Sequence, residues 1–263
     1  MPVTPRARVR LLARSGRVEP GLFVPLVLAQ AAEIEALPLD AFLCDATKLA
    51  KGLTALHQAL RTDGVVVAGG GLLGEAAGSA ERVDAAVEAT ARLASTLPGD
   101  PALVAALTGP ATAATQLGTA DVEAAGALVL DGLKRFLEAG VNLVLLVEER
   151  PPLSSVIDAW RSALTPLSNV ARFHQGAALV VFESMSAGAV EVVPPSVGVC
   201  VPEGTEVPGP PARPRGVALP VAPKEWLSPG PGAPLVTTAG VVPAEHSFAE
   251  VLDACGRLRT EGP

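Results

Sequence analysis

The sequence predicts an α/β fold, a single (β/α)8 TIM barrel spanning residues 1–263. Three observations predict it. Short apolar runs rich in β-branched residues alternate with longer amphipathic runs along the chain. The short runs are apolar almost throughout, as parallel strands buried on both faces are. Eight of them can be counted, most followed by a helical pattern, which is the repeat of this barrel.

The elements follow in order. Residues 1–20, with "ARVRLLARSG" and Arg6, Arg8, Arg10, Arg14 and Arg17, read as a solvated amphipathic leading helix; the other reading is an anion site. "LFVPLVL" (22–28) is the first strand, and 38–60 carries the helical pattern that follows. "GVVVAGG" (64–70), "ALVAALTG" (102–109) and "VNLVLLVEE" (141–149) are the next three strands. Their helices occupy 79–97, 120–140 and 154–167. Val83, Val87, Ala91, Ala94 and Leu97 share one helical face, as do Val122, Ala125, Val129, Leu133 and Phe136. Ser79 fits an N-cap and Gly140 a C-terminal stop.

The second half is less regular. "NVARFHQ" (169–175), "AVEVVPPS" (189–196), "GVALPVA" (216–222) and "PLVTTAG" (234–240) supply strands five to eight, and 176–188 reads as the helix after the fifth. Proline crowds 201–234, so helices after strands 6 and 7 are reduced and this stretch forms loops within the barrel. "SFAEVLDACGRLR" (247–259) is the last helix.

Composition narrows the function. Asp plus Glu number 27 against 20 Lys plus Arg, a net charge of -7, which speaks against nucleic acid as a partner. Three cysteines with no metal-knuckle spacing fit a reducing cytoplasm. No run reaches the ~20 apolar residues of a membrane span, and no signal-peptide core opens the chain. No metal and no cofactor are expected.

Barrel enzymes act at the C-terminal ends of their strands, so polar residues there are the candidates. His174 and Gln175 close the predicted fifth strand in "FHQG"; His174 is the candidate acid–base group, and Gln175 would orient it or touch substrate. Glu148 and Glu149 end the fourth strand, where alternation lets only one face the axis; Glu148 is the chosen acid. His246 follows the eighth strand beside the helix start. Thr112 after Gly109-Pro110, Thr238, and Gly69 and Gly70 of "GGGLLG" are candidate ligand contacts. Read structurally, the threonines cap or pack and the glycines form a barrel loop. Arg150, Arg161 and Arg172 could anchor a substrate carboxylate.

In order, "FVPLVLAQAAEIEALPLDAFLCDATKLAKGL", "DGVVVAGG", "ALTGPATAATQL", "DGLKRFLEAGVNLVLLVEE" and "PLVTTAGVVPAEHSFAEVLDACGRLR" resemble the uroporphyrinogen decarboxylase superfamily, which includes methylcobamide:coenzyme M methyltransferases. The resemblance implies the same barrel, often as a homodimer. It also exposes departures. The family's arginine-rich N-terminal loop is absent, "AGGG" stands where it has an aspartate, and Gln116 stands near its tyrosine. The methyltransferases' His-x-Cys, aligned to the predicted fifth strand, falls on Phe173 and Gln175, and the eighth strand has no cysteine. A decarboxylase-like lyase acting on a small carboxylated or tetrapyrrole-like substrate is the first expectation. A corrinoid- or thiol-linked methyltransferase is the second. A non-catalytic barrel binding a small molecule or partner protein is the third.

Overall fold

Side chains on the central strands alternate between two apolar compartments. Ala102, Val104 and Ala106, then Leu143, Leu145 and Val147, then Ala177, Leu179 and Val181 fill one with Cys200. The residues between them, Leu103, Val144, Leu146, Val180 and Phe182 among them, join the other, where the helices pack. Two buried faces on every strand is what the near-continuous apolarity requires. The first compartment is the inside of a barrel.

The computed structural model describes residues 3–69, 79–184, 189–207, 210, 212–230 and 232–261. The elements in chain order are α1 (Pro5–Ser15), β1 (Leu22–Phe23), α2 (Ala29–Ile34), α3 (Leu39–Leu43), α4 (Ala46–Leu60), β2 (Gly64–Ala68), α5 (Ser79–Thr96), β3 (Ala102–Thr108), α6 (Pro110–Gln116), α7 (Val122–Ala139), β4 (Leu143–Glu148), α8 (Ile157–Phe173), β5 (Ala177–Phe182), α9 (Ala189–Val192), β6 (Gly198–Val201), β7 (Arg215–Leu219), β8 (Leu235–Thr238) and α10 (Phe248–Glu261). One sheet of eight parallel strands runs β1-β8-β7-β6-β5-β4-β3-β2, a (β/α)8 barrel.

The ladder leaves one seam, between β1 and β2, and Asp63 closes it. Its amide donates to the Phe23 carbonyl at 3.0 Å, and its Oδ2 accepts the Phe23 amide at 2.8 Å. The Arg8 guanidinium pairs with its Oδ1 and donates to the Gly21 carbonyl at 2.7 Å. Arg8 lies in α1, which plugs the base of the barrel with Val9 and Leu12, both 0% exposed. The leading arginines are therefore not all solvated. Arg8 is buried and Arg6 pairs with Asp100, whereas Arg10, Arg14 and Arg17 are exposed.

The first four strands and the last two lie where the alternation puts them. The fifth and sixth do not. "NVARFHQ" is the end of α8 and its cap, the predicted helix 176–188 begins with β5, and "AVEV" is the short α9. The cap explains the shift. Gly176 donates its amide to Ala171 at 2.8 Å and Gln175 donates to Arg172 at 2.9 Å, with Gln175 at φ 60. This pair of bonds around a left-handed residue is a helix C-terminal motif usually built on glycine. With glutamine there, the stop is hard to see. Past Val201 the proline-rich stretch behaves as expected. Among the described residues no α-helix follows β6, and only a single 3-10 turn, Pro223–Glu225, follows β7.

Two stability measurements test this description. Asp63→Ala, which strands Arg8 and opens the seam, lowers the unfolding free energy by about 2–3 kcal/mol in denaturant titrations, allowing for partial solvent access. Gln175→Gly relieves the left-handed strain and raises it by about 1 kcal/mol; no gain would mean that the cap costs nothing.

Candidate functional site at the barrel mouth

The strands' C-terminal ends set the mouth, and side-chain alternation decides which residues enter it. On β4, Val147 faces the barrel axis, so Glu148 faces the helices and Glu149 returns to the axial side. Glu148 is 0% exposed. Its carboxylate accepts the Ala111 amide at 3.1 Å, the Thr112 amide at 2.8 Å and the Trp160 indole N–H at 2.6 Å. It joins the end of β4 to the first turn of α6 and to α8. Gly109 makes room for it, since a Cβ there would lie 2.3 Å from the carboxyl carbon. Burial pushes the Glu148 carboxyl up, against the opposing pull of these donors. It is a structural hub and not the axial acid that the sequence suggests.

β5 supplies an axial carboxylate that the sequence reading places inside a helix. Val181 faces the axis, and Glu183 follows it with the same parity. Register pairs Glu148 with Phe182, and the backbone stays paired one residue further, where Glu183 donates its amide to the Glu148 carbonyl at 2.9 Å. Glu149 and Glu183 are therefore cross-strand neighbours on the axial side. Burial, and then the charge of Glu149, raise the Glu183 carboxyl above its ordinary range. The Glu183 side chain also reaches over the mouth to β8: a Cβ on Gly240 would lie 2.6 Å from its Oε1. The signal that finds it is in the sequence. "AALVVFE" ends in an acid as "LVLLVEE" does.

The other candidates disperse. His174 is the C-cap of α8 and stands before β5, at the base of the barrel. β5 alone separates it from the mouth by about 20 Å at ~3.3 Å per residue. Its ring packs edge-on against Phe173 at 5.4 Å. Gln175 forms the cap, and Arg172 in the last turn bonds Asn169; both are far from the mouth for the same reason. His246 lies between β8 and α10, with Nδ1 4.0 Å from Glu250, and its carbonyl accepts from the buried Gln30 at 2.8 Å. His174, Glu148 and His246 thus do not converge.

Thr112 accepts the Glu149 amide at 2.9 Å. Thr238 accepts the Leu26 amide at 3.0 Å and donates to the Gly240 carbonyl at 2.7 Å. Both hydroxyls hold loops. Arg150 is exposed at the mouth, while Arg161 donates to the Val192 carbonyl at 2.8 Å. Gly69 packs against Leu28 and Val241; Gly70 lies outside the described residues.

The thiolate–imidazole zinc site of the methyltransferases does not fit. With β5 placed correctly, Glu183-Ser184-Met185 follows it, without histidine or cysteine. Among the described residues no three His, Cys, Asp or Glu gather around one point. Cys200 is buried inside the barrel, where desolvation raises its thiol far above the ordinary range.

No protein-family model matches the chain, and no curated protein matches it by sequence. Solved structures do. A "methyltransferase from Methanosarcina mazei" superposes with a TM-score of 0.59 over 98% of this chain and 100% of that one, at 15% identity. At that identity the likeness is one of fold. Among the described residues no helix is long and apolar enough to cross a membrane.

Glu148 carries a pH signature. Its folded-state carboxyl holds its proton above the ordinary value of 4.5, so the native chain binds more protons than the unfolded one above that pH. The stability it contributes is complete below 4.5 and is lost as pH rises through the raised folded value. Denaturant titrations between pH 4 and 8 on wild type and Glu148→Gln check this, with the variant expected to show the shallower decline. The variant also places an amide against backbone donors and costs about 1–3 kcal/mol.

Proposed function

We propose that this chain is an enzyme of the uroporphyrinogen decarboxylase superfamily that works in methyl transfer at the barrel mouth, with Glu183 as its acid. The carrying observation is the axial Glu183 beside Glu149, with its carboxyl biased toward the protonated form. The fold of a protein named a methyltransferase supports the reading, as does the ordered sequence resemblance.

The charge of the mouth favours methyl transfer over the decarboxylation of a carboxylated substrate. The segments that leave the strands carry Glu149, Glu183 and Glu203, against Arg150 and Lys224. A polyanionic substrate would meet like charge there, with Arg161 and Arg172 turned elsewhere. A neutral or cationic methyl donor would not. In the proposed step the methyl carbon's bond to an oxygen or nitrogen breaks, and the methyl passes to an external nucleophile of the corrinoid or thiol class. The electron pair stays on the leaving atom, which takes its proton from Glu183. Glu149 keeps that proton on Glu183 until it is needed, since two neighbouring carboxylates resist ionising together. The apolar barrel interior beneath excludes water from the reacting atoms.

The test is turnover of methanol, methylamines and methoxyaromatics with reduced cobalamin as acceptor, followed by the absorbance of the methylated product. The expected rate falls as pH rises through the Glu183 value, and Glu183→Gln loses about 10²-fold or more. Equal rates for the variant and wild type, or no turnover of any donor, would overturn the reading. The second outcome would favour a non-catalytic barrel.

A further inference from the structure

The two ends of the barrel carry opposite charge. The mouth is acidic, while arginines gather at the base. Arg10 and Arg14 of α1, Arg17 just beyond it, and Arg172 at the end of α8 form no ion pair among the described residues. In an acidic chain, four exposed arginines without carboxylate partners leave this end positive.

A cavity of about 170 Å³ opens beside Arg172, at the starts of β5, β6 and β7. Its wall includes Ala13 of α1, Ala177 of β5, the guanidinium-bearing Arg172 and Arg213, and the hydroxyl-bearing Ser168 and Ser196. Every charged group in its described lining is positive. Arg213 is 3% exposed and is held in place by Nε donating to the Val197 carbonyl at 2.9 Å. Ser168 donates to the Ser196 carbonyl at 3.1 Å, tying α8 to the loop before β6. A buried guanidinium is costly to keep charged. Its desolvation, and the like charge of Arg215, lower it to about 10.

We infer that this cavity is a binding site for a tetrahedral oxyanion of the phosphate class, on the face of the barrel opposite the reaction site. Guanidinium groups offer planar, forked donors that match phosphate oxygens; Arg172 supplies them here, while Arg213, whose Nε and Nη2 already donate to the Val197 and Val193 carbonyls, contributes a fixed positive charge. The volume accepts a phosphoryl group and leaves the rest of a larger ligand at the surface. The site is distinct from the mouth and serves anchoring or regulation, not the proposed proton transfer.

Isothermal titration with inorganic phosphate at fixed ionic strength tests it, with chloride as the reference. A single saturable site is expected. Arg172→Met, at an exposed helix end where folding is preserved, weakens it about tenfold or more. Arg213→Lys, which keeps the charge and loses the bonds to Val197 and Val193 that fix it at the cavity, weakens it as well, whereas Arg135→Ala on the remote α7 leaves it unchanged. Titration with glycerol phosphate separates the sources. Tighter binding than phosphate indicates a phosphomonoester, and equal or weaker binding indicates the free ion. Absence of saturable binding at millimolar phosphate, or undiminished binding in Arg172→Met, overturns the inference.

Discussion

Arg8 and Asp63 hold the one join that the strand ladder leaves open. Seven of the barrel's eight contacts between neighbouring strands are ladders. At the eighth a single residue imitates a strand: the Asp63 amide donates to the Phe23 carbonyl and its carboxylate accepts the Phe23 amide. The arginine pairs with that carboxylate in a partly buried place and ties the Pro20–Gly21 turn to it. The cost of desolvating the pair is offset by these extra bonds, without which a buried ion pair contributes little. Everything at the mouth is set from this closure, because the tilt and stagger of a barrel's strands are fixed together.

Three glutamates show how position decides chemistry. Glu148 and Glu149 are neighbours on one strand, yet one is shut into the helix layer and the other faces the axis. The buried one receives three N–H donors and welds β4, α6 and α8 into a unit. The axial one influences Glu183 across the strand pair. A carboxyl whose oxygens are all met by N–H donors is structure; one with a like charge beside it holds its proton more tightly.

Much of this is legible in the sequence, and the remainder is not, for identifiable reasons. The barrel, the count of eight strands and the loss of helices after the sixth and seventh follow from buried β-branched runs and proline, signals strong enough to survive local ambiguity. The fifth strand is hard to place from sequence because Gln175 occupies a left-handed position without glycine's mark, so helix and strand patterns run together across 169–182. That one shift carries His174 to the base of the barrel and Glu183 to the end of a strand. Glu148 was correctly placed at a strand end, but which of two adjacent acids faces the axis depends on a parity that needs the strand's exact register. Thr112 and Thr238 stand out as candidate ligand contacts by type and address, but their bonds to the Glu149 and Leu26 amides come only from folded geometry.

The plug at the barrel's base has a consequence for how the chain assembles. α1 is made before β3 and β5, against which it packs, and their residues follow roughly a hundred positions later or more. Eleven residues are too few to hold a helix alone in water. During synthesis this segment therefore waits, an amphipathic strip without a surface to cover. Its docking is a late, long-range event of the kind that slows folding. The growing chain keeps its apolar bore open at one end until the segment returns to stopper it.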